Sequence, residues 1–331
     1  MTDNKEPLVK VRGLKKHFNI PGKGKLHAVD GVDFDVYAGE TLGLVGESGC
    51  GKSTVGNVLL RLHEKTDGQM LFRGTDVFNS RGAESFELCK KIQIIFQDPY
   101  SSLNPRKTIR AILREAFQIH KIAKGDALEK RVRELCKDAG LSEELLDKYP
   151  HELDGGKRQV VGIARALSLS PEFIVCDEPV SSLDVSIQAT IINLLMDLQE
   201  KRGLSFLFIS HDLSVVRHIS NRIAVMYLGE IIEMASTDEI FENAQHPYTI
   251  ALLSAVPKVE IDSKVSRIVL KGDVVSPINP GKGCRFASRC WMSQDVCREN
   301  SPTLEESAEG HKVACHFWRE SRELAKQAQT Q

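Results

Sequence analysis

The sequence has no apolar run approaching the ~20 residues that span a bilayer. Its first stretch, Met1 to Lys10, is polar and charged and lacks the apolar core of a secretory signal. A cytosolic protein is the default expectation. Net charge is lacking too: 44 Lys and Arg stand against 45 Asp and Glu, a balance of −1. That excludes a global electrostatic pull towards nucleic acid or an anionic membrane, and no nucleic-acid partner is expected. Structural disulfides are not expected either. Eight cysteines in a cytosolic chain argue for free thiols or a metal site. What remains is ordinary for a globular protein, 41% hydrophobic and 27% charged, and 331 residues make room for roughly two domains.

What is there centres on Gly46-Glu47-Ser48-Gly49-Cys50-Gly51-Lys52-Ser53, which reads G-x-x-x-x-G-K-S. A strand from Glu40 to Val45 is expected before it and a helix from Thr54 to Leu62 after it, the context this phosphate-binding loop requires. Glycines let the backbone wrap a triphosphate with its N–H groups turned inward. Lys52 is expected on the β- and γ-phosphates and the Ser53 hydroxyl on Mg²⁺.

Upstream, Leu8 to Val11 and His27 to Val36 read as antiparallel strands, with Phe18 and the turn-rich Pro21-Gly22-Lys23-Gly24 between them. Phe18 suits either stacking on an adenine or an ordinary place in the core or on the surface. Downstream, Gly68 to Phe72 and Ile92 to Phe96 read as strands, the second running into Gln97. A Gln there suits Mg²⁺ and a water, or simply an exposed loop. Tyr100 to about Leu169 has helical periodicity, as in Ala127 to Ala139 with Leu128, Val132, Leu135 and Cys136 on one face. Leu153-Asp154-Gly155-Gly156-Lys157 opens a helix reaching Ala166. Its glycines offer a second phosphate-contact surface, or a tight turn capped by Asp154. The apolar run Phe173 to Cys176 ends in Asp177-Glu178, placing carboxylates at a buried strand's C-terminal end. Asp177 suits the Mg²⁺ shell and Glu178 suits polarisation of the attacking water. Ser182-Leu183-Asp184 opens a helix from Val185 to Lys201, and the strand Leu204 to Ile209 leads to His211, a candidate γ-phosphate sensor.

In order and spacing these motifs resemble an ABC ATPase. More closely, the run from Gln97 through Asp98-Pro99-Tyr100 to Pro105, Ser182 to Gln188, and His246-Pro247-Tyr248-Thr249 onward to Pro257 resemble the oligopeptide/dipeptide/nickel-uptake subfamily, with the F-type ATP-binding subunit as the nearer of its two kinds. The resemblance implies an α/β phosphate-loop NTPase core of the ABC ATPase type. It also implies an antiparallel β subdomain, an inserted α-helical subdomain at about 100–169 and a small C-terminal cysteine-rich domain. The boundaries expected are 1–259 for the ATPase and 260–331 for the extension. It implies Mg²⁺-dependent ATP hydrolysis, with Phe18 on the adenine and Gly46–Ser53 and Thr54 around the phosphates. Asp177, Ser53 and Gln97 would organise Mg²⁺, Glu178, Lys52 and His211 would serve the reacting phosphate, and Asp184 would communicate across a head-to-tail dimer. The partners implied are a second, D-type ATPase subunit or a second copy, two membrane permeases, and indirectly an extracytoplasmic substrate-binding protein. The location implied is peripheral, on the cytoplasmic face of the membrane. The cargo would be peptides or nickel.

One departure is the signature, usually L-S-G-G-Q and here Leu153-Asp154-Gly155-Gly156-Lys157. An ionised Asp154 cannot donate to a phosphate and brings like charge towards it, which Lys157 partly offsets. An asymmetric pair of ATP sites follows as an expectation. The second feature is the tail. Ile268-Val269-Leu270 and Asp273-Val274-Val275 suggest short strands, and Cys284, Cys290, Cys297 and Cys315 gather after a Pro/Gly loop. Four thiolates suit Zn²⁺ or a [4Fe–4S] cluster, with unliganded thiols or a disulfide as the other readings. Paired C-x₂₋₄-C knuckles are absent, and the long spacings and the likeness to peptide-transporter tails favour the cluster. Arg285 and Arg289 are near enough in sequence to help balance its charge, or are simply surface residues, and Glu320 to Gln331 reads as a frayed polar end. Beside the importer stands an alternative: a soluble ABC-type ATPase whose cluster and nucleotide-driven closure act on a partner protein, as in metalloenzyme activation.

Overall fold

The computed structural model describes residues 6–256, 268–270, 272, 276–321, 323 and 324. In chain order the strands are β1 (Val9–Ile20), β2 (Gly24–Val36), β3 (Thr41–Val45), β4 (Asp67–Phe72), β5 (Thr75–Asp76), β6 (Ile92–Ile95), β7 (Phe173–Asp177), β8 (Ser205–Ser210), β9 (Arg222–Tyr227), β10 (Glu230–Ser236), β11 (Glu305–Ala308) and β12 (His311–Val313). The α-helices are α1 (Lys52–Leu59), α2 (Gly82–Lys91), α3 (Pro99–Ser102), α4 (Ile109–Ile119), α5 (Asp126–Ala139), α6 (Gly155–Leu167), α7 (Val185–Arg202), α8 (Leu213–Ile219), α9 (Thr237–Asn243), α10 (Pro247–Ser254) and α11 (Asp295–Glu299). They sort into two compact units. Among the described residues, one takes 6–9, 36–41 and 72–210; the other takes 10–35, 42–71 and those from 211 on.

In the first unit β6, β7 and β8 pair in parallel, with Ile95 beside Cys176 and Cys176 beside Phe208. β7 and β8 are buried along their whole length. Continuous apolar runs are what parallel strands covered on both faces require. The helices between β6 and β7 form the expected helical region. α4 starts where the Thr108 side chain accepts the Ala111 N–H, and it buries Ile109, Ile112, Leu113 and Phe117. α5 opens with Asp126 and Glu129, buries the stripe read from the sequence, and stops at Gly140 in the left-handed conformation.

In the second unit β1 and β2 are neighbours, and β4 lies on the other side of β1. The expected strands, Leu8–Val11 and His27–Val36, prove too short: the turn at Pro21 to Lys23 closes a hairpin of 12 and 13 residues. Its partly exposed, Lys- and His-bearing middle hides it from a hydrophobic count. β3 runs parallel to β9, β9 pairs antiparallel with β10, and β12 adds to β10 with Glu233 opposite Val313. The β11–β12 hairpin in the tail was not anticipated; its strands are four and three residues long and carry little apolar signal. Ile268 to Leu270 do not form the expected strand. They run without regular structure, Ile268 donating its N–H to Ser254 Oγ at 3.0 Å. Asp273 to Val275 lie outside the described residues. The tail is also less frayed than expected at its start: Ser321 is fully buried and donates to the Gln245 carbonyl at 2.6 Å.

Glu233 of β10 ties this unit together. It is 0% exposed and accepts from the N–H groups of Gln245 and His246 at 2.6 and 3.0 Å. It also meets His311 Nε2 of β12 at 2.8 Å. Removing the carboxylate strands several buried donors at once. Glu233→Ala is expected to cost about 3 kcal/mol of stability or more, seen as a fall in the urea midpoint with the slope unchanged.

Candidate functional site

The loop Gly46–Ser53 sits between buried β3 and the start of α1. Two of its glycines are dictated by close backbone approach. At Gly46 (φ +155) a Cβ would stand 2.2 Å from the Met226 carbonyl oxygen, and at Gly51 (φ +110) it would stand 2.0 Å from that of Ala28. No L side chain fits either place. Lys52 is buried, and its ammonium donates to the carbonyls of Gly46 at 2.8 Å and Glu47 at 3.0 Å. The lysine therefore closes the loop on itself and holds a positive charge there. Ser53 and Thr54 occupy the first turn of α1, whose leading N–H groups and dipole favour an anion. Burial pushes the Cys50 thiol up, so it sits in the loop as a neutral group. Ser48 and Gly49 are exposed at the loop's crown.

Contacts from far along the chain fix this loop. The Glu47 N–H donates to Tyr248 Oη at 2.8 Å, and the Gly229 N–H donates to the Cys50 carbonyl at 2.8 Å. The Glu47 carboxylate receives both arms of Arg289, at 2.7 and 3.2 Å. Sequence reasoning missed the roles of Tyr248 and Arg289, since nothing local to either residue points to a loop some 200 positions away. Phe18, near the end of β1, is partly exposed, meets His63 edge-on at 5.7 Å and has Lys16 Nζ 4.7 Å from its ring centre.

In the other unit, Asp177 ends β7 and is buried. Glu178 follows in the left-handed conformation, φ +45, uncommon for a residue with a side chain. Its N–H donates to the Ile209 carbonyl at 3.0 Å, and its carbonyl accepts from Ser181. Gln97 Nε2, from just beyond β6, donates to Glu178 Oε2 at 2.9 Å. Two residues 81 positions apart are thus brought together at the C-terminal ends of adjacent strands. Asp184 stands at the N-cap of α7 and is exposed. His211 is exposed and follows β8, just ahead of α8 with its Asp212 cap.

Asp154 caps α6. Its Oδ1 accepts the Lys157 N–H at 2.8 Å and its Oδ2 pairs with Lys157 Nζ at 2.8 Å. The Lys157 side chain, with its backbone N–H, holds the carboxyl below the usual range, so Asp154 is charged at neutral pH. Behind it a Cβ at Gly156 would stand 2.7 Å from the Ile187 side chain, which keeps the helix start bare.

Cys284, Cys290, Cys297 and Cys315 line one cavity, with Phe286 packed beside them. All eight cysteines are free thiols. Burial pushes Cys284 up, and Cys290 and Cys315 to about 12. Each of these three sulfurs accepts the N–H of the residue two positions ahead: Phe286, Met292 and Phe317. Among the described residues, no three of the four sulfurs lie within 4.8 Å of one another; the one such His/Cys/Asp/Glu group is His17, His27 and Asp30. Arg285 and Arg289 do not face the cavity as charge balance. Each is spent on carboxylates, Arg285 on Asp30 and Glu230, Arg289 on Glu47.

The chain matches the ABC transporter family over residues 29–181 and the oligopeptide/dipeptide transporter C-terminal region over residues 232–297. It is 50% identical over 324 residues to the oligopeptide transport ATP-binding protein AppF of Bacillus subtilis (strain 168), covering 95% of this chain and 98% of that one. The chain belongs to the ABC transporter ATP-binding family. This cassette is also 47% identical over 315 residues to the dipeptide transport ATP-binding protein DppF of Haemophilus influenzae, covering 93% and 96%. In fold it is similar to the ATP-binding cassette MJ0796, solved as a dimer in a post-hydrolysis state with ADP and Pi. That match has a TM-score of 0.63 and 28% identity, over 69% of this chain and 98% of that one. The cassette is an ATP-hydrolysing enzyme. No helix among its described residues is long and apolar enough to cross a membrane.

Proposed function

We propose that this cassette is the ATP-hydrolysing subunit of a peptide importer. It would work as half of a nucleotide-binding dimer against membrane permeases on the cytoplasmic face. The observation that carries the reading is the near-full-length likeness to peptide-transport ATPases, which extends through the C-terminal region beyond the catalytic cassette. The soluble alternative has no observation in its favour.

Each candidate residue has one role in this reading. The N–H groups of Gly46–Ser53 and the start of α1 cradle the phosphates, and Lys52 brings positive charge to them. Ser53, Asp177 and Gln97 would offer oxygen donors to Mg²⁺, a hard cation. Glu178, held by its backbone and by Gln97, orients and polarises the attacking water. His211 serves the γ-phosphate, Phe18 the adenine, and Asp184 the communication across the dimer. Glu178→Gln is expected to bind ATP with near-normal affinity and to lose at least 10²-fold in turnover. Normal steady-state hydrolysis in this variant would remove Glu178 from the role.

The signature at Asp154-Gly155-Gly156 would complete the partner's ATP site. A carboxylate there, ionised and engaged by Lys157, offers no donor to a phosphate. The site it completes is therefore the weaker of the two. Serine keeps the helix cap, so Asp154→Ser is expected to raise the ATPase rate of the assembled complex without loss of stability. An unchanged or lower rate counts against the asymmetry.

The four cysteines are assigned to a [4Fe–4S] cluster. Cys284, Cys290, Cys297 and Cys315 would hold it; no three of their sulfurs lie within 4.8 Å of one another, a spread that favours a group of several metal atoms over a single Zn²⁺. When bound, the cluster supplies four Fe–S links that staple the segment, and a one-electron couple. One sample tests importer and cluster together: anaerobic affinity purification of the tagged chain from its native cell, with iron, sulfide and zinc assayed. Expected are a second ABC ATPase, two permeases, and about four irons and four sulfides per chain. Recovery without permeases refutes the importer, and zinc without iron refutes the cluster.

A further inference from the structure

Between Cys284 and Cys290 lie Arg285, Phe286 and Arg289, and all three reach the nucleotide-binding loop or its support. Arg289 is only 8% exposed. Its two arms meet the Glu47 carboxylate, and Nη1 also lies 3.4 Å from Tyr227 Oη. Glu47 is the second residue of the phosphate loop. A forked, charge-assisted pair at such burial fixes orientation as well as distance. Arg285, also 8% exposed, donates to the Leu228 carbonyl and to Asp30, and pairs with Glu230 at 3.0 Å. Burial opposes the Asp30 charge, but His27, His17 and Arg285 outweigh it and hold this carboxyl at about 2. Phe286 is buried against Tyr227 and Tyr248, with ring centres 5.3 and 5.5 Å away. Tyr248 is the residue that accepts the Glu47 N–H. Backbone and side chain of Glu47 are therefore both held by one layer, and the cysteine segment is part of that layer.

We infer that Arg289 is a positioning residue that couples the four-cysteine site to nucleotide binding. The inference rests on the reading that the cysteines hold a metal group. The group pins Cys284 and Cys290, the ends of the segment. The pinned segment holds Arg289 on Glu47, and Glu47 keeps the loop in its binding form. Loss of the group frees the segment, releases Arg289 and weakens ATP binding. Coupling between two sites is reciprocal in affinity, so bound ATP must tighten the hold on the group by the same factor. The metal content of the cell would in this way set the ATP affinity of the cassette.

The test uses the full chain purified anaerobically, as isolated and after stripping with a chelator and oxidant. Two quantities are read: affinity for a non-hydrolysable ATP analogue, and the share of metal the chain retains at equilibrium against a competing chelator with and without that analogue. In the natural chain, stripping is expected to weaken the analogue roughly ten-fold, and the analogue to raise the metal affinity measured against the chelator by the same factor. In Arg289→Gln the affinity of the loaded chain falls to the stripped value, and stripping then changes nothing further. Arg289→Lys, which keeps the charge and loses the fork, lies between. Glu47→Gln weakens the same pair from the other side and reproduces the uncoupling if Arg289→Gln does not fold. A loaded chain whose affinity is unmoved by stripping overturns the coupling, as does an Arg289→Gln chain that responds to stripping like the natural one. A chain isolated with neither iron nor zinc overturns the four-cysteine reading and the coupling with it.

Discussion

A phosphate loop has to keep its N–H groups turned inward and unfilled, and this constraint governs the whole nucleotide-binding unit. The loop cannot satisfy itself by collapsing, because collapse would consume the donors. Here Lys52 closes it from inside, through the carbonyls of Gly46 and Glu47. Everything else holds it from outside. Tyr248 takes the Glu47 N–H, Gly229 donates to the Cys50 carbonyl, and Arg289 grips the Glu47 side chain. The carbonyls of Ala28 and Met226 press so closely that only glycine fits at Gly51 and Gly46. The support comes from β2, from β9 and its following turn, from α10 and from the cysteine segment. The loop is short; its support is recruited from the length of the chain.

The carboxylate end of the other unit follows a different logic. Parallel pairing of β6, β7 and β8 sets their C-terminal ends side by side. That brings Gln97 to Glu178 without any local interaction between them. Glu178 pays for its position with a positive φ, stabilised by the Ile209 carbonyl and the turn through Ser181. A backbone held in a sparsely populated region beside reacting groups is a common mark of a functional position.

Much of this was legible. The loop, the strand–loop–helix around it, Asp177-Glu178 and the amphipathic stripe of α5 are all local patterns, and local patterns survive in a sequence. Asp154 was read both as a cap and as a departure from a signature; the cap is what the structure shows. The hairpin β1–β2 was cut short because half-exposed polar strands carry little hydrophobic signal, and Ile268 to Leu270 misled because a short apolar run is not yet a strand. Arg285 and Arg289 were read by their nearness in sequence to cysteines, whereas their carboxylate partners lie about 200 positions or more away, save Glu230.

The sequence by itself determined the chemistry available: which residues can bind phosphate, which can hold a divalent cation, and where four thiols occur. Those are properties of side-chain type and short spacing. Only the tertiary structure decided which groups are spent on one another. Arg289 goes to Glu47 and not to the cysteines, Tyr248 lies under the phosphate loop, and the four sulfurs share one cavity with no three of them within 4.8 Å of one another. The reason is physical. A buried charge or donor takes whatever partner the packing of distant strands and helices delivers, and that delivery is not written in any local pattern.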